Sequence, residues 1–184
     1  MASTSSCDAA RAIADSSPDV ASVPADAAKL RKAMFIVLSG DMERMLAAFV
    51  MAATAAASGL QTTMFFMFWS VPALRDKPGT RRKGLLDRML GALIPRGPRA
   101  LPTSRLNFAG LGPRFFRWRM AKKQLSDLPA LMEQAEALGI RLLVCDNSLD
   151  MFGLGLDELR DGVGVAGAMT CLREAADSEV ALFV

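Results

Sequence analysis

The sequence predicts an α/β fold: a doubly wound, mostly parallel sheet of four to five strands carrying a basic helical or irregular insert. Three observations predict it. Short, continuous apolar runs end in turn residues, as strands buried on both faces do; a helix-length segment separates the first two runs; and the same alternation recurs toward the C-terminus.

Residues 33–38 (AMFIVL) follow Lys29-Leu30-Arg31-Lys32 and end at Ser39-Gly40-Asp41, so they read as a buried strand and a turn. Asp41 stands where it can cap the next helix, with ligand contact at the sheet edge as the alternative. Residues 42–58 are rich in Ala, Met and Leu, and Gly59 follows where a left-handed C-cap is needed, so a helix is expected. Residues 60–68, dense in aromatic and β-branched side chains, form the second strand and close a right-handed parallel crossover.

After Pro72 the pattern weakens. Lys77-Pro78-Gly79 marks a loop, 84–94 a helix, 95–113 an irregular stretch punctuated by Pro and Gly, and 114–123 a short basic helix. Ser126-Asp127-Leu128-Pro129 carries helix-start residues before an amphipathic segment, 130–138, that Gly139 terminates. Residues 140–144 are the next buried strand, 156–161 and 166–176 short helices, and 179–184 a final apolar strand.

With 184 residues and 52% apolar composition, one core is expected, in a single domain over 29–184 with an insert at 75–124. Residues 1–28, rich in Ala, Ser and Asp, lack the basic start and long apolar stretch of a secretory signal and are expected to be a disordered tail. The net charge is only +3, but residues 75–123 hold 14 Lys/Arg against 2 Asp, leaving the remainder acidic.

Two apolar runs, 45–57 and 62–74, raise the question of a transmembrane hairpin. Each is shorter than the roughly 20 residues a span requires, and Gly59 and Gln61 interrupt them, which favours buried elements of a folded core. The chain contains no His and no Tyr, which removes histidine acid/base catalysis, Ser-His or Cys-His nucleophiles and tyrosine proton donors. Cys7, Cys145 and Cys171 are widely spaced without a CxxC pair, so neither a disulfide framework nor a thioredoxin-type pair is suggested, and a reducing cytoplasm fits. Met34, Met42, Met45, Met51, Met64 and Met67 offer soft ligands for copper, but their place inside apolar elements fits core filling; no metal and no cofactor are expected.

In a doubly wound sheet, sites form at the carboxyl ends of strands. Ser39, Gly40, Asp41, Trp69 and Cys145 occupy such ends, and Ser148 and Asp150 lie in the turn after Cys145. The order of Ser39-Gly40-Asp41, Thr63-Met64-Phe65-Phe66-Met67-Phe68-Trp69, Pro95-Arg96-Gly97-Pro98, Asn107-Phe108-Ala109-Gly110-Leu111-Gly112 and Cys145-Asp146-Asn147-Ser148-Leu149-Asp150-Met151-Phe152-Gly153 resembles the DsrE/DsrF-like sulfur-relay family, in its longer branch sometimes labelled peroxiredoxin-like. The resemblance covers about residues 32–184. It implies a flavodoxin-like core, homo-oligomers, and sulfur transfer between donor and acceptor carrier proteins, and it adds Asn107 to the candidate binding residues. The chain departs from the family pattern at Ser70, where Gly commonly follows the Trp, and at Asp146-Asn147, where less acidic residues are usual.

On this resemblance Cys145 is the catalytic candidate, holding sulfane sulfur as a persulfide. Such a cysteine must be partly thiolate, which positive potential, backbone N–H groups or a helix N-terminus favour; basic residues of the insert are expected to fold over it. The bland reading of Cys145 is a small buried hydrophobe, and that is the expectation for Cys171, among Met169, Thr170 and Leu172. Without the Pro-x-x-x-Thr-x-x-Cys arrangement, peroxidase activity is not expected. The competing function is a non-catalytic oligomeric adaptor that binds a small anion or nucleotide and docks to a partner or membrane through its basic insert. In that insert, aromatics interleave with cations from Arg114 to Arg119, as on surfaces that meet anionic membranes or acidic partners; nucleic acid is not expected, and a solvated lid is the plain alternative.

Overall fold

The computed structural model describes residues 31–78, 94–103 and 111–184. Five parallel strands form one sheet in the order β4-β3-β2-β1-β5, from β1 (Lys32–Val37), β2 (Gln61–Phe66), β3 (Arg141–Cys145), β4 (Val163–Ala166) and β5 (Val180–Phe183). The chain steps outward from β1 to β4, with α1 (Met42–Ala57), α3 (Leu128–Ala137) and α4 (Asp146–Phe152) packed on one face. It then reverses, and α5 (Ala168–Ala176) crosses the opposite face to deliver β5 beside β1. A right-handed crossover requires this change of face when the direction reverses. The expected α/β architecture is therefore present, with its reversal between β1 and β5; the flavodoxin-type order places it between β1 and β3.

Strand alternation divides the core in two. Phe35, Val37, Met64, Phe66, Leu142 and Val144 point to the α1/α3 side, where the rings of Phe49 and Phe66 lie 6.0 Å apart. Met34, Ile36, Phe65, Cys145 and, from α5, Cys171 form the smaller cluster on the other side. Each large apolar side chain buried this completely contributes about 1.5–3 kcal/mol.

Local chemistry sets the element ends. Gly59 and Gly139 follow α1 and α3 at φ +86° and +69°, the left-handed values that halt a helix. Asp127 caps α3, its carboxylate accepting the Ala130 N–H at 3.1 Å. The second strand stops at Phe66, short of the expected 68. Ser70 donates its hydroxyl to the carbonyls of Val37 and Met67, both at 2.7 Å, and draws the chain into a 3₁₀ turn, Phe68–Leu74.

Strand β4 is absent from the sequence expectation, because Gly162 and Gly164 dilute its apolar signal. Gly164 packs tightly on the neighbouring strand: a Cβ there would come 3.0 Å from Leu143 Cδ2, which would have to shift by a few tenths of an ångström. Residues 146–152, expected as a turn, form α4, and the expected helix at 156–161 is a single turn, Leu156–Glu158. The basic helix α2 (Leu111–Lys122) starts before residue 114. The helix expected at 84–94 lies outside the described residues except for Ile94, which is buried. The second apolar run is strand and 3₁₀ turn, and no helix of the described residues is long and apolar enough to cross a membrane.

Candidate functional site

The carboxyl ends of the strands carry two neighbouring centres. The first is a cavity of about 440 Å³ lined by Ser39, Gly40, Asp41, Arg44, Trp69 and Pro102, among others. Four of the candidate binding residues therefore meet in one place. Gly40 makes the meeting possible, since a Cβ on it would lie 2.2 Å from the Trp69 carbonyl oxygen.

Asp41 occupies the N-cap position of α1, yet its side chain does not cap, contrary to the favoured expectation. Its carboxylate accepts the Ser39 hydroxyl at 2.9 Å and lies 3.8 Å from Arg44 Nε, and the Met42 N–H is taken instead by the Pro102 carbonyl at 2.9 Å. The Ser39 turn, which also accepts the Asp41 N–H at 3.1 Å, turns the carboxylate away from the helix and toward the cavity wall.

The second centre is built around Cys145, the last residue of β3 and the residue before α4. The side chain faces α5 and is 2% exposed. Its sulfur lies 3.8 Å from Asp146 Oδ1, which also accepts the Asn147 N–H at 2.8 Å. The Asp146 carboxylate thus accepts the thiol's hydrogen bond. The expectation that the insert's cations fold over Cys145 is not met by the described part of the insert: Arg117 and Met120 of α2 line a cavity with Met42 and Leu46 of α1 and Leu128 of α3, on the opposite face of the sheet.

Two contacts join the centres. Ser148, 2% exposed, accepts the Phe68 N–H on its hydroxyl at 3.0 Å, holding Phe68 at φ +48°, a value that costs a non-glycine residue about 1–3 kcal/mol. The Trp69 and Phe152 rings meet edge to face at 5.2 Å. Ser148 is therefore a structural tie; Asp150 is exposed, and Asn107 lies outside the described residues.

Cys171 is the residue that sequence reasoning undervalued. It is buried as expected, but in the same cluster as Cys145. Burial, then the charges of Cys145 and Glu174, push its thiol above 9.0. A raised thiol pKa means the fold retains a proton that the unfolded chain releases. The resulting stability is complete below the unfolded value and declines as pH rises through it toward the folded one. Denaturant midpoints measured on either side of pH 9.0 are expected to fall more steeply for the wild type than for Cys171→Ala. Parallel profiles would show that Cys171 is not shielded in solution.

A model of the DsrE/DsrF/DrsH-like family matches residues 30–183. The chain is 35% identical over 155 residues to the uncharacterized protein YrkE of Bacillus subtilis (strain 168), covering 84% of this chain and 97% of that protein. It is 25% identical over 158 residues to the protein named sulfur carrier protein DsrE2 of Allochromatium vinosum, covering 84% and 98%. Among solved structures, the ychN protein from E. coli superposes with a TM-score of 0.51 at 14% identity, over 83% of this chain and 99% of that one, a likeness of fold.

Proposed function

The chain belongs to the DsrE/DsrF/DrsH-like family, and on that premise we propose that it is a sulfur carrier holding sulfane sulfur as a persulfide on Cys145. The carrying observation is the position of Cys145: the only cysteine at a strand's carboxyl end among the described residues, in a parallel sheet whose sites form at such ends. Family membership points to sulfur relay, and the 25% identical relative is named a sulfur carrier.

The thiolate attacks the outer sulfur of a donor persulfide, the donor leaves as its thiol, and Cys145 gains one sulfur. An acceptor thiolate then removes that sulfur, returning Cys145 to its thiol, so no net oxidant is required. Burial gives the carrier a specific character. A persulfide beneath α5 is shielded from bulk thiols, and exchange requires the start of α5, at Gly167 beside Asp146, to move aside. Free Cys145 and Cys171 suit a reducing compartment such as the cytoplasm.

Self-association belongs to the same proposal. β5 is an edge strand exposed along its length, and Met169 and Leu172 of α5 are 73% and 63% exposed, apolar surface that a second copy would cover.

Intact mass after treatment with a persulfide donor, without reductant, tests the proposal. A gain of one sulfur, about 32 Da as the mass of the reacting atom requires, is expected in wild type and Cys171→Ser and not in Cys145→Ser. Equal loading of all three, or of none, would sink it. The adaptor reading would then lead, favoured by a different observation: a cavity of about 510 Å³ whose wall carries five cations, Arg75, Lys77, Arg96, Arg99 and Arg160, against two acids, Asp76 and Glu133.

A further inference from the structure

The outer face of α2 takes no part in either centre, and its chemistry is unusually uniform. Residues 111–126 contain five cations, Arg114, Arg117, Arg119, Lys122 and Lys123, and no acid. Arg117 turns inward and donates to the Arg99 carbonyl, while Met120 lies against the α1/α3 side. Helical spacing then groups Phe115, Trp118 and Lys122 on the opposite face, with Arg114 and Arg119 at its flanks.

Phe115 and Trp118 are 59% and 58% exposed, a large uncovered aromatic surface for one short helix. Their rings pack 5.7 Å apart, and the Lys122 ammonium sits 5.4 Å over the Trp118 ring. Together with Arg119 and Lys123 they line a shallow hollow of about 300 Å³. Leu125, just past the helix, is 60% exposed and extends the apolar strip.

We propose that this face of α2 docks the protein onto an anionic lipid surface. Aromatic side chains, tryptophan above all, settle at the boundary between headgroups and acyl chains, and basic residues on the flanks meet lipid phosphates. The hollow admits a glycerol or acyl segment beside the paired rings while the surrounding cations meet the headgroup. Single-stranded nucleic acid also selects basic and aromatic faces, but it binds by stacking bases on open rings. Here the Trp118 ring is already contacted by Phe115 and by Lys122, leaving its outer edge for lipid.

The test uses the full chain with Trp69→Phe, so that Trp118 is the only tryptophan. It is mixed with vesicles of phosphatidylcholine, with or without phosphatidylglycerol, and followed by sedimentation and by Trp118 emission. Co-sedimentation with the phosphatidylglycerol vesicles and a blue shift are expected. Replacing Arg114, Arg119 and Lys122 by Gln should weaken binding about fivefold per charge. Phe115→Ser should weaken binding at unchanged charge, and sedimentation of the wild type alongside checks that Trp69→Phe leaves vesicle binding unchanged.

Failure to sediment with phosphatidylglycerol vesicles at low salt overturns the proposal. So does binding that Phe115→Ser leaves unchanged, which is adsorption of a basic surface alone. Quenching of Trp118 by a single-stranded oligonucleotide, with no response to vesicles, assigns the face to nucleic acid instead.

Discussion

Glu158→Ala is expected to remove about 3–5 kcal/mol of folding stability, the typical cost of breaking a buried ion pair by deleting one partner. Arg75 and Glu158 are 83 residues apart in sequence and pair at 3.0 Å, with side chains 5% and 1% exposed. Both Glu158 oxygens are engaged: Oε2 accepts the Arg75 guanidinium and Oε1 the Gly155 N–H at 3.0 Å. Truncation removes the Glu158 carboxylate from the buried guanidinium and takes the acceptor from that N–H. Nearby backbone bonds run the same way, from Asp76 and Lys77 N–H to the Glu158 carbonyl and from Arg160 N–H to Leu74. The pair therefore ties the start of the insert to the 156–160 segment.

A domain of this kind has only about 5–15 kcal/mol in total, so Glu158→Ala should shift the urea midpoint far down or abolish folding. Arg75→Met with Glu158→Met removes both charges and should recover much of the loss, giving a large coupling energy in a double-mutant cycle. Additive single losses below about 1 kcal/mol, the value of an exposed pair, would show that water reaches this ion pair.

The second large effect is expected at Gly40. Its Cα faces the Trp69 carbonyl so closely that a methyl group would overlap the oxygen, and both groups belong to backbone that cannot swing aside. Gly40→Ala must part the β1–α1 turn from the 3₁₀ turn, at a cost of about 1–3 kcal/mol for overpacking. The displacement should also reach Trp69, which packs on Phe152, and so alter tryptophan emission in a Trp118→Phe background. Unchanged stability and emission would mean that the two turns do not touch in solution. Because Trp69 and Ser148 bridge to the Cys145 side, the same variant reports how tightly the two centres are coupled.

Much of this architecture is local information. The apolar run before Ser39-Gly40-Asp41, the Ala-rich segment closed by Gly59 and the Asp127-Leu128-Pro129 start each express a periodicity or a backbone preference that acts within a few residues. They appear in the structure within two residues of expectation. A thin local signal misleads: β4 has two glycines in and before a four-residue strand, and the seven residues of α4, directly after Cys145, read locally as a turn.

The sequence by itself determined the alternation of strands and helices, the family resemblance, and the placing of Ser39, Gly40, Asp41, Trp69 and Cys145 at strand ends. Tertiary structure alone decided that the first four share a cavity, that Cys145 is enclosed with Cys171 beneath α5, and that Arg75 meets Glu158. The reason is physical. Element type follows from side-chain periodicity and φ preference, which the chain carries locally; strand order and the choice of face follow from closing distant segments around one core, and only that closure says which residues meet.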